Sequence, residues 1–542
     1  MAVAEKVFSE SGYHDLRGHI AALEREGLIH RIDRPVNKDT EMHPLVRWQY
    51  RGGIPDAQRK AFLFTNPVDS QGKRYDSPVL IGGFAGSRRI YSIGMQCPES
   101  EIGARWERAL RSPLRPVAWE GPAPVHEVVI TQDELEASGG LLKFPQPIST
   151  PGYDNAPYLS SAHYITKDPE TGVQNAGNYR GMFKGAAKVA VQFSPHGADG
   201  AVHWEKYKRR GEHCPVAIVV GGPPVLAYTA VQRIPIELDE MAVAGALVGA
   251  PLRLVRCKTV DLEVPADAEC VIEGYIRTDY LEPEGPFGES HGYVHQRTIS
   301  PVVEITAITH RTNPIWTSFI SQVTPSESST IKIVSYEPMF LSFLRNDCGV
   351  KSVVRVSMHE PLTNIRPVVF LQFRNPTEGE VWRALKLASG FKIGVGKLIV
   401  AIDEDIEPTN LDAVMWALAY RMTPHEDVQI VRGYDKGHAP PFREVAAMEN
   451  SVMLINATLR DKLPPISLPK REFMERALEL WNELGLPPVT PQSPWHGYSL
   501  GDWDDELDQE AQLAAQSRWI ENAIKAAKNR VSADTKFAKG DL

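Results

Sequence analysis

The sequence is poor in the features that build disulfide-rich, membrane-spanning and nucleic-acid-binding proteins. It has five cysteines in 542 residues, an odd number with no C-x-x-C spacing, which argues against a disulfide framework or a zinc knuckle. The net charge of −9 offers no basic field for nucleic acid. Apolar runs such as PVAIVVGGPPVLAY are interrupted by Gly and Pro and are too short to cross a bilayer. The first residues lack an apolar signal segment, so we expect a cytoplasmic protein with buried thiols.

Common nucleotide-binding and hydrolase motifs are also missing. GVGKLIV resembles the end of a phosphate loop, but Phe391 stands five positions before Gly396, where a Walker A motif needs Gly, and Leu398 follows Lys397. No G-x-G-x-x-G joins a strand to a helix, and no G-x-S-x-G is present. These absences disfavour P-loop, Rossmann and α/β-hydrolase sites, although Lys397 at a strand start can still meet a phosphate as a point charge.

The residue pattern predicts an α+β protein of several domains. We expect an N-terminal α/β unit over residues 1–116 and, over 117–325, a β-rich domain whose short strands suggest a barrel or sandwich. Strands and helices alternate again over 326–485, with a helix over EPMFLSFLRNDCG, which predicts a C-terminal α/β domain. Residues 486–542 form a connector and a tail with one amphipathic helix, which either lies in solvent or packs as an arm against a second subunit.

Two glutamates flank a glycine-rich bend in LEPEGPFGESHGY, residues 281–293. Gly285, Pro286 and Gly288 exclude a helix here, so Glu284 and Glu289 lie on a shaped loop and can point into a common space. An isolated pair of this kind is more often a solvated surface turn.

A second stretch, QNAGNYRGMFKGAAKVAVQFSPHGADG, combines an amide, a guanidinium and an imidazole. It contains Asn175, Arg180 and His196, and the later segment ELDEMAVAG adds Glu240. Amide oxygen, imidazole and carboxylate form a mixed oxygen and nitrogen set that suits Mn²⁺ or Mg²⁺ rather than a thiolate-seeking metal. Taken singly, each residue is a weak signal, and a lone histidine after a strand is more often structural.

Taken together and in this order, these segments resemble the UbiD family of decarboxylases, which use prenylated flavin mononucleotide. The resemblance covers roughly residues 10–480 and is carried by NAGNYR, the His196 segment, ELDEMAVAG, EGYIRTDYLEPEGPFGESHGY and GVGKLIVAIDED. It implies a central split β-barrel, like that of flavin reductases, that carries the cofactor, and a C-terminal domain that closes over it. In this context a plain surface turn no longer explains Glu284 and Glu289.

The resemblance also implies roles for individual residues. Arg180, Glu284 and Glu289 match the catalytic trio of the family. The Mn²⁺ ligands that hold the flavin phosphate match Asn175, His196 and Glu240. The cofactor-binding positions match Asn175, Ala176, Gly177, Asn178, Tyr179, Arg180, Pro195, His196, Glu240 and Lys397. A monovalent cation such as K⁺ matches Thr229, Ala230 and Gln232. Proline at position 195 and the long tail depart from the family pattern, which bears on the cofactor rim and the subunit contacts.

The implied reaction is reversible, non-oxidative decarboxylation of an aromatic or α,β-unsaturated acid. Arg180 orients the substrate carboxylate, and Glu289 donates a proton, which it must hold at working pH beside Glu284. The segment with Phe442 and Arg443 is expected to set specificity. The basic YRGGIPDAQRK stretch is either a solvated loop or a contact for an aryl-CoA thioester such as phthaloyl-CoA.

Expected partners are a flavin prenyltransferase that supplies the cofactor and further copies of the chain, as a homodimer or a trimer of dimers. Two alternatives stay open from the sequence. One is a flavin oxidoreductase on a split barrel, which needs no acid pair. The other is a non-catalytic or assembly subunit of a larger carboxylase complex, in which some of these site residues would have decayed.

Overall fold

The structure of the chain is a computed structural model. It describes residues 12–193, 198–232, 234–363, 367–391, 395–434, 450–460, 463–490, 503–528 and 532. Pro195, His196, Phe442 and Arg443 lie outside the described residues.

The N-terminal part is a four-stranded sheet with helices against it. The helix Leu16–Arg25 begins at Asp15, whose side chain accepts the Gly18 N–H, and it buries one stripe of apolar side chains. The strands run in the order Ile29–Ile32, Ala61–Phe64, Val79–Ile81 and Trp316–Ser318. Further short strands are Val36–Asn37 and Pro67–Val68, and further helices are Met42–Arg51, Arg88–Gly94 and Ile102–Arg111.

The last strand of this sheet is not indicated by the sequence. Trp316–Ser318 follows the central domain but lies parallel to Val79–Ile81. All three of its residues are buried. The chain after the central domain therefore completes the N-terminal sheet, which fixes the two parts against each other.

The central part is a nine-stranded antiparallel sheet. Eight strands run in the order Gln174–Asn178, His163–Lys167, Cys214–Val220, Cys270–Ile276, Val302–His310, Lys188–Gln192, Arg180–Phe183 and Tyr158–Leu159. The ninth, Val128–Thr131, pairs with Val302–His310. Cys214–Val220 is buried at every residue, because apolar clusters cover both faces of the sheet.

Smaller elements surround this sheet. One three-stranded sheet consists of Val117–Ala118, Arg253–Arg256 and Glu263–Pro265. Two short hairpins pair Glu282–Glu284 with Thr298–Ser300 and Phe287–Gly288 with Val294–His295. The helices are Leu135–Ser138, Asp199–Arg210, Pro224–Ala230 and Glu240–Val248.

A long helix, Glu327–Ser342, leads into the C-terminal part, and it corrects our expectation of a helix that starts at Glu337. Ser326 and Ser329 form a capping box at its start, and Pro338 lies inside it. The β-branched residues before Pro338 favour a strand by local propensity, but burial against the other domains overrides this preference. Glu327 is buried and accepts the N–H groups of Gly82, Phe84 and Ala85. Burial raises the pKa of Glu327 to about 7, against the lowering effect of those N–H groups.

The C-terminal part is a five-stranded sheet with helices, as the alternating pattern predicts. The strand order is Val353–Met358, Val368–Phe373, Leu398–Asp403, Asn450–Asn456 and Val428–Tyr434, and the three central strands are parallel. Its helices are Glu378–Ser389, Leu411–Tyr420 and Pro424–Asp427. A mixed helix-and-sheet multidomain fold is thus confirmed.

The tail contains two helices where the sequence predicts one. Asp505–Ala515 and Trp519–Lys528 are separated by a turn in which Ser517 has a positive φ of 62°. Lys525 pairs with Glu506 and Glu510 on the preceding helix, which folds the two against each other. A further helix, Arg471–Glu483, precedes them. Across the described part of the chain, no helix is both long and apolar enough to cross a membrane.

Candidate active site

Arg180 joins the two glutamates of the glycine-rich bend. Its Nε and Nη2 atoms donate to the two carboxylate oxygens of Glu284, at 2.9 and 2.7 Å. Its Nη1 atom donates to Glu289. One planar guanidinium thus holds two carboxylates that lie 104 and 109 residues further along the chain. The two glutamates converge instead of pointing apart into solvent.

The three side chains differ in their exposure. Glu284 is fully buried and Arg180 is 9% exposed, whereas Glu289 is 30% exposed. Burial lowers the pKa of Arg180, but its hydrogen bonds to Glu284 and the charges of both glutamates outweigh burial and raise this pKa. The guanidinium therefore stays charged, and Glu289 is the most exposed of the three side chains.

An aromatic floor supports the trio. The centroid of the Phe287 ring lies 5.2 Å from the guanidinium carbon of Arg180. The same centroid lies 4.3 Å from the centroid of the Tyr158 ring. Tyr158 is fully buried and donates to the carbonyl of Pro286 at 3.4 Å. Burial, and then the neighbouring Glu284, raise the pKa of the Tyr158 hydroxyl. This packing restricts the guanidinium to one plane.

Asn175 and Glu240 form a second cluster, on the strand Gln174–Asn178 and at the start of the helix Glu240–Val248. Asn175 Nδ2 donates to Glu240 Oε1 at 3.0 Å, and the Ala176 N–H donates to Glu240 Oε2 at 2.9 Å. Glu240 is 2% exposed, and burial raises its pKa to about 8. In the parts of the chain that are described, no basic side chain forms an ion pair with it. The Asn175 Oδ1 atom is buried and has no hydrogen-bond partner among the described residues.

These contacts fit a divalent cation. An orphaned amide oxygen beside a buried carboxylate is a pair of hard oxygen ligands without their ion. Among the described residues no three His, Cys, Asp or Glu side chains form a metal cluster, but the predicted set includes an amide, and His196 is not described. Sequence reasoning missed Asp199, whose Oδ2 lies 3.4 Å from Asn175 Nδ2. Its only signal is its position at a helix start just after the His196 segment.

Tyr179 contacts both flanks of the segment that contains Pro195 and His196. Its ring lies 5.2 Å from that of Phe193, and its hydroxyl accepts the N–H of Gly200 at 3.1 Å. The start of the helix Asp199–Arg210 is thereby tied to the strand that carries Asn175. Asn178 is the last residue of that strand. Within the described residues, its Oδ1 atom is likewise buried without a hydrogen-bond partner.

The remaining predicted positions are Thr229, Ala230, Gln232 and Lys397. Thr229 is buried, and its hydroxyl donates to the carbonyls of Val225 and Leu226 in its own helix. Ala230 ends that helix. The Gln232 amide donates to Ser335, and its Oε1 atom is buried without a partner in the part of the chain that the structure describes. Lys397 is exposed at the start of Leu398–Asp403, in the C-terminal sheet. Among the described contacts of these four residues, none identifies a cation site or a phosphate site on its own.

Three family models match successive parts of the chain. They describe domains of 3-octaprenyl-4-hydroxybenzoate carboxy-lyase, UbiD. The N-terminal domain matches residues 20–110, the Rift-related domain 117–323 and the C-terminal domain 331–457. Together they cover most of the chain.

Relatives and solved structures agree with these matches. Uncharacterized proteins of Archaeoglobus fulgidus and Aquifex aeolicus are each 30% identical, over 77% and 88% of this chain and 86% and 99% of their own lengths. An evolved dimeric form of the UbiD-class enzyme HmfF from Pelotomaculum thermopropionicum, in complex with prFMN, is 30% identical with a TM-score of 0.71, over 84% of this chain and 97% of that one. Vanillic acid decarboxylase from Sedimentibacter hydroxybenzoicus, in closed form, is 25% identical with a TM-score of 0.72, over 88% and 99%. The chain belongs to the UbiD family of carboxy-lyases.

Proposed function

We propose that this protein decarboxylates an aromatic or α,β-unsaturated carboxylic acid reversibly, with prenylated FMN as its cofactor and Glu289 as the proton donor. The observation that carries this proposal is the contact of one guanidinium with two carboxylates, of which one is buried and one is open. A catalytic acid needs such access to the reacting carbon, whereas a purely structural ion pair does not.

The residues present fit the cofactor and its metal. Asn175, Glu240 and His196 would hold Mn²⁺, and Lys397 and the strand residues up to Arg180 would complete the phosphate and ring contacts. Prenylated FMN, when bound, supplies the electron sink that protein side chains lack. K⁺ near Thr229, Ala230 and Gln232 is part of the proposal, supported by the buried Gln232 Oε1 atom, which has no hydrogen-bond partner among the described residues.

The protein's own groups then bind and orient the substrate and protonate its reacting carbon. The Arg180 guanidinium offers planar N–H groups to the substrate carboxylate, and the fully buried Glu284 keeps that guanidinium in place. The bond between the carboxylate carbon and the rest of the substrate breaks, and carbon dioxide leaves. The proton of Glu289 is then added to the substrate carbon that lost the carboxylate. Positioned acid catalysis of this kind contributes about 10²–10⁴-fold to the rate.

The substrate is defined only by class. It comprises aromatic and α,β-unsaturated acids, and we include aryl-CoA thioesters such as phthaloyl-CoA as candidates. The basic stretch YRGGIPDAQRK supports a CoA group only in part. Arg59 Nη1 lies 3.6 Å from the carboxylate of Asp56, which offsets part of the positive charge of Arg59. The five unpaired thiols agree with a reducing, cytoplasmic location.

We also propose a homodimer or a trimer of dimers, built by the C-terminal helices. No residue of the helices Arg471–Glu483, Asp505–Ala515 and Trp519–Lys528 is buried. Their exposed apolar side chains include Phe473, Leu480, Leu507, Trp519, Ile520 and Ile524. Such a surface on a separate arm is typical of a subunit contact.

The test is to produce the protein together with a flavin prenyltransferase and to measure CO₂ release from a panel of aryl acids, cinnamic-type acids and aryl-CoA thioesters. We expect release only from protein with the prenylated cofactor, and no release from protein loaded with plain FMN. Oxidation of NAD(P)H without CO₂ release would identify a flavin oxidoreductase instead. A holo-protein that binds the cofactor but acts only after addition of other subunits would identify an assembly subunit.

A further inference from the structure

Asp154 connects the turn that begins at Thr150 to the strand Phe287–Gly288, which precedes Glu289. Its Oδ2 atom accepts the N–H of Thr150 at 2.7 Å, within its own turn. Its Oδ1 atom accepts the N–H of Gly288 at 3.1 Å, from a segment 134 residues away. One carboxylate thus satisfies one backbone donor on each of two segments.

The charge of Asp154 is balanced by these N–H groups. Asp154 is buried, at 9% exposed, and within the described residues it forms no ion pair. Burial raises the pKa of Asp154 to about 6, while the N–H groups of Thr150 and Gly288 oppose the increase. Burial of a carboxylate without a counter-ion costs free energy unless its oxygens accept hydrogen bonds. We therefore expect Asp154 to have a specific role at this position.

Gly288 lies in a slot that admits no side chain. A Cβ atom at this residue would lie 2.3 Å from Thr150 Oγ1 and 2.9 Å from Gln322 Cγ. The strand Phe287–Gly288 therefore packs directly against the turn that Asp154 closes. A small displacement of that turn moves Gly288, because the side chains of Thr150 and Asp154 contact Gly288 directly.

Glu289 follows immediately and is otherwise weakly held. Its N–H donates to Tyr293 and its carbonyl accepts from Gly292, both inside its own loop and both at 3.1 Å. Its side chain contacts Arg180 and is 30% exposed. Glu284, in contrast, is fully buried and bound by two N–H groups of Arg180. The placement of Glu289 thus depends on the position of Gly288.

We propose that Asp154 is a positioning residue, which holds the strand Phe287–Gly288 so that Glu289 stays against Arg180 and reaches the substrate. This inference rests on the proposed function of Glu289 as proton donor. Misplacement of a catalytic group by about 1 Å lowers a rate by about 10²-fold, so a lost anchor is visible in kcat.

The test is the isosteric variant Asp154→Asn, made in the full chain and loaded with cofactor. An amide keeps one acceptor but presents an N–H group to one of the two backbone donors. We expect hydrogen–deuterium exchange at least about 10-fold faster in peptides that cover residues 285–293, and no change elsewhere. We expect kcat about 10–100-fold lower with KM changed less than about threefold, and an unchanged flavin spectrum.

Asp69→Asn is the matched control. Asp69 also accepts two backbone N–H bonds, from Gln71 and Lys73, but both come from its own loop. It should change neither exchange at 285–293 nor kcat. If Asp154→Asn does not fold, Gly288→Ala, which pushes the same segments apart and keeps the carboxylate, must give the same pattern.

Two results overturn the proposal. Unchanged exchange at residues 285–293 means that Asp154 does not hold the strand. Faster exchange with wild-type kcat means that catalysis does not need the anchor. If the wild-type holoenzyme turns over no acid of the panel, the proposed function fails, and the exchange measurement still decides whether Asp154 holds the strand.

Discussion

Replacement of Arg180 by lysine tests the geometry of the trio directly. Arg180 makes three charge-assisted hydrogen bonds, two to Glu284 and one to Glu289. A lysine ammonium keeps the charge but cannot span both carboxylates in one plane, so we count two of the three bonds as lost. At about 1.5–3 kcal/mol each, they amount to about 3–6 kcal/mol. We therefore expect kcat/KM of the flavin-loaded Arg180→Lys variant to fall about 10²–10⁴-fold.

Arg277→Lys is the matched control for this prediction. Arg277 also contacts two carboxylates, Asp279 and Glu304, but these are 51% and 43% exposed. Exposed pairs contribute about 0–1 kcal/mol, so the control should keep near-normal activity and stability. CO₂ release and thermal unfolding are measured for both variants. Wild-type kcat/KM in Arg180→Lys, or equal loss in the two variants, would refute the role of the shared guanidinium.

The remaining predictions concern the metal, the buried carboxylate of the long helix and the tail. Asn175→Ala removes the orphaned amide oxygen, so we expect less bound manganese by elemental analysis and weaker flavin retention, with the fold unchanged by circular dichroism. Burial raises the pKa of Glu327 to about 7, so its contribution to stability is present below the pKa of an unfolded glutamate, about 4.3, and is lost as the pH rises through about 7. The urea unfolding free energy should therefore fall from about pH 5 to about pH 8 by less in Glu327→Gln than in the wild type, and equal slopes would contradict this. A chain that ends before residue 486 should form a smaller oligomer in light scattering while its sheets stay folded, because it lacks the exposed apolar side chains of the last two helices.

The candidate site residues were proposed from the sequence, but their contacts could not be predicted from it. The order of the motifs and the bend around Gly285 and Gly288 indicated that Glu284 and Glu289 share a space. That Arg180 lies between them depends on the pairing of short strands more than 100 residues apart. Local patterns carry no information on such register, so the unequal burial of the two glutamates could not be predicted.

The fold shows the same division between local and long-range signals. The helix Leu16–Arg25 and its buried stripe follow from periodicity and a cap, which are local. The strand Trp316–Ser318 joins a sheet that begins near residue 29, which no local pattern reveals. The break in the tail at Ser517 was missed because polar helical residues continue on both sides of it. The contacts of Asp154 with Gly288 and of Asp199 with Asn175 are long-range or tertiary contacts that local patterns do not indicate.

The most direct measurement is decarboxylation in D₂O by wild-type protein and by Glu289→Gln, both loaded with prenylated FMN and manganese. Glutamine keeps the size of the side chain and removes its transferable proton. We expect the wild type to release CO₂ and to place one deuterium on the carbon that lost it, and the variant to bind the cofactor equally well without turnover. Near-normal CO₂ release and deuterium incorporation by the loaded Glu289→Gln protein would contradict the assignment of Glu289 as the proton donor.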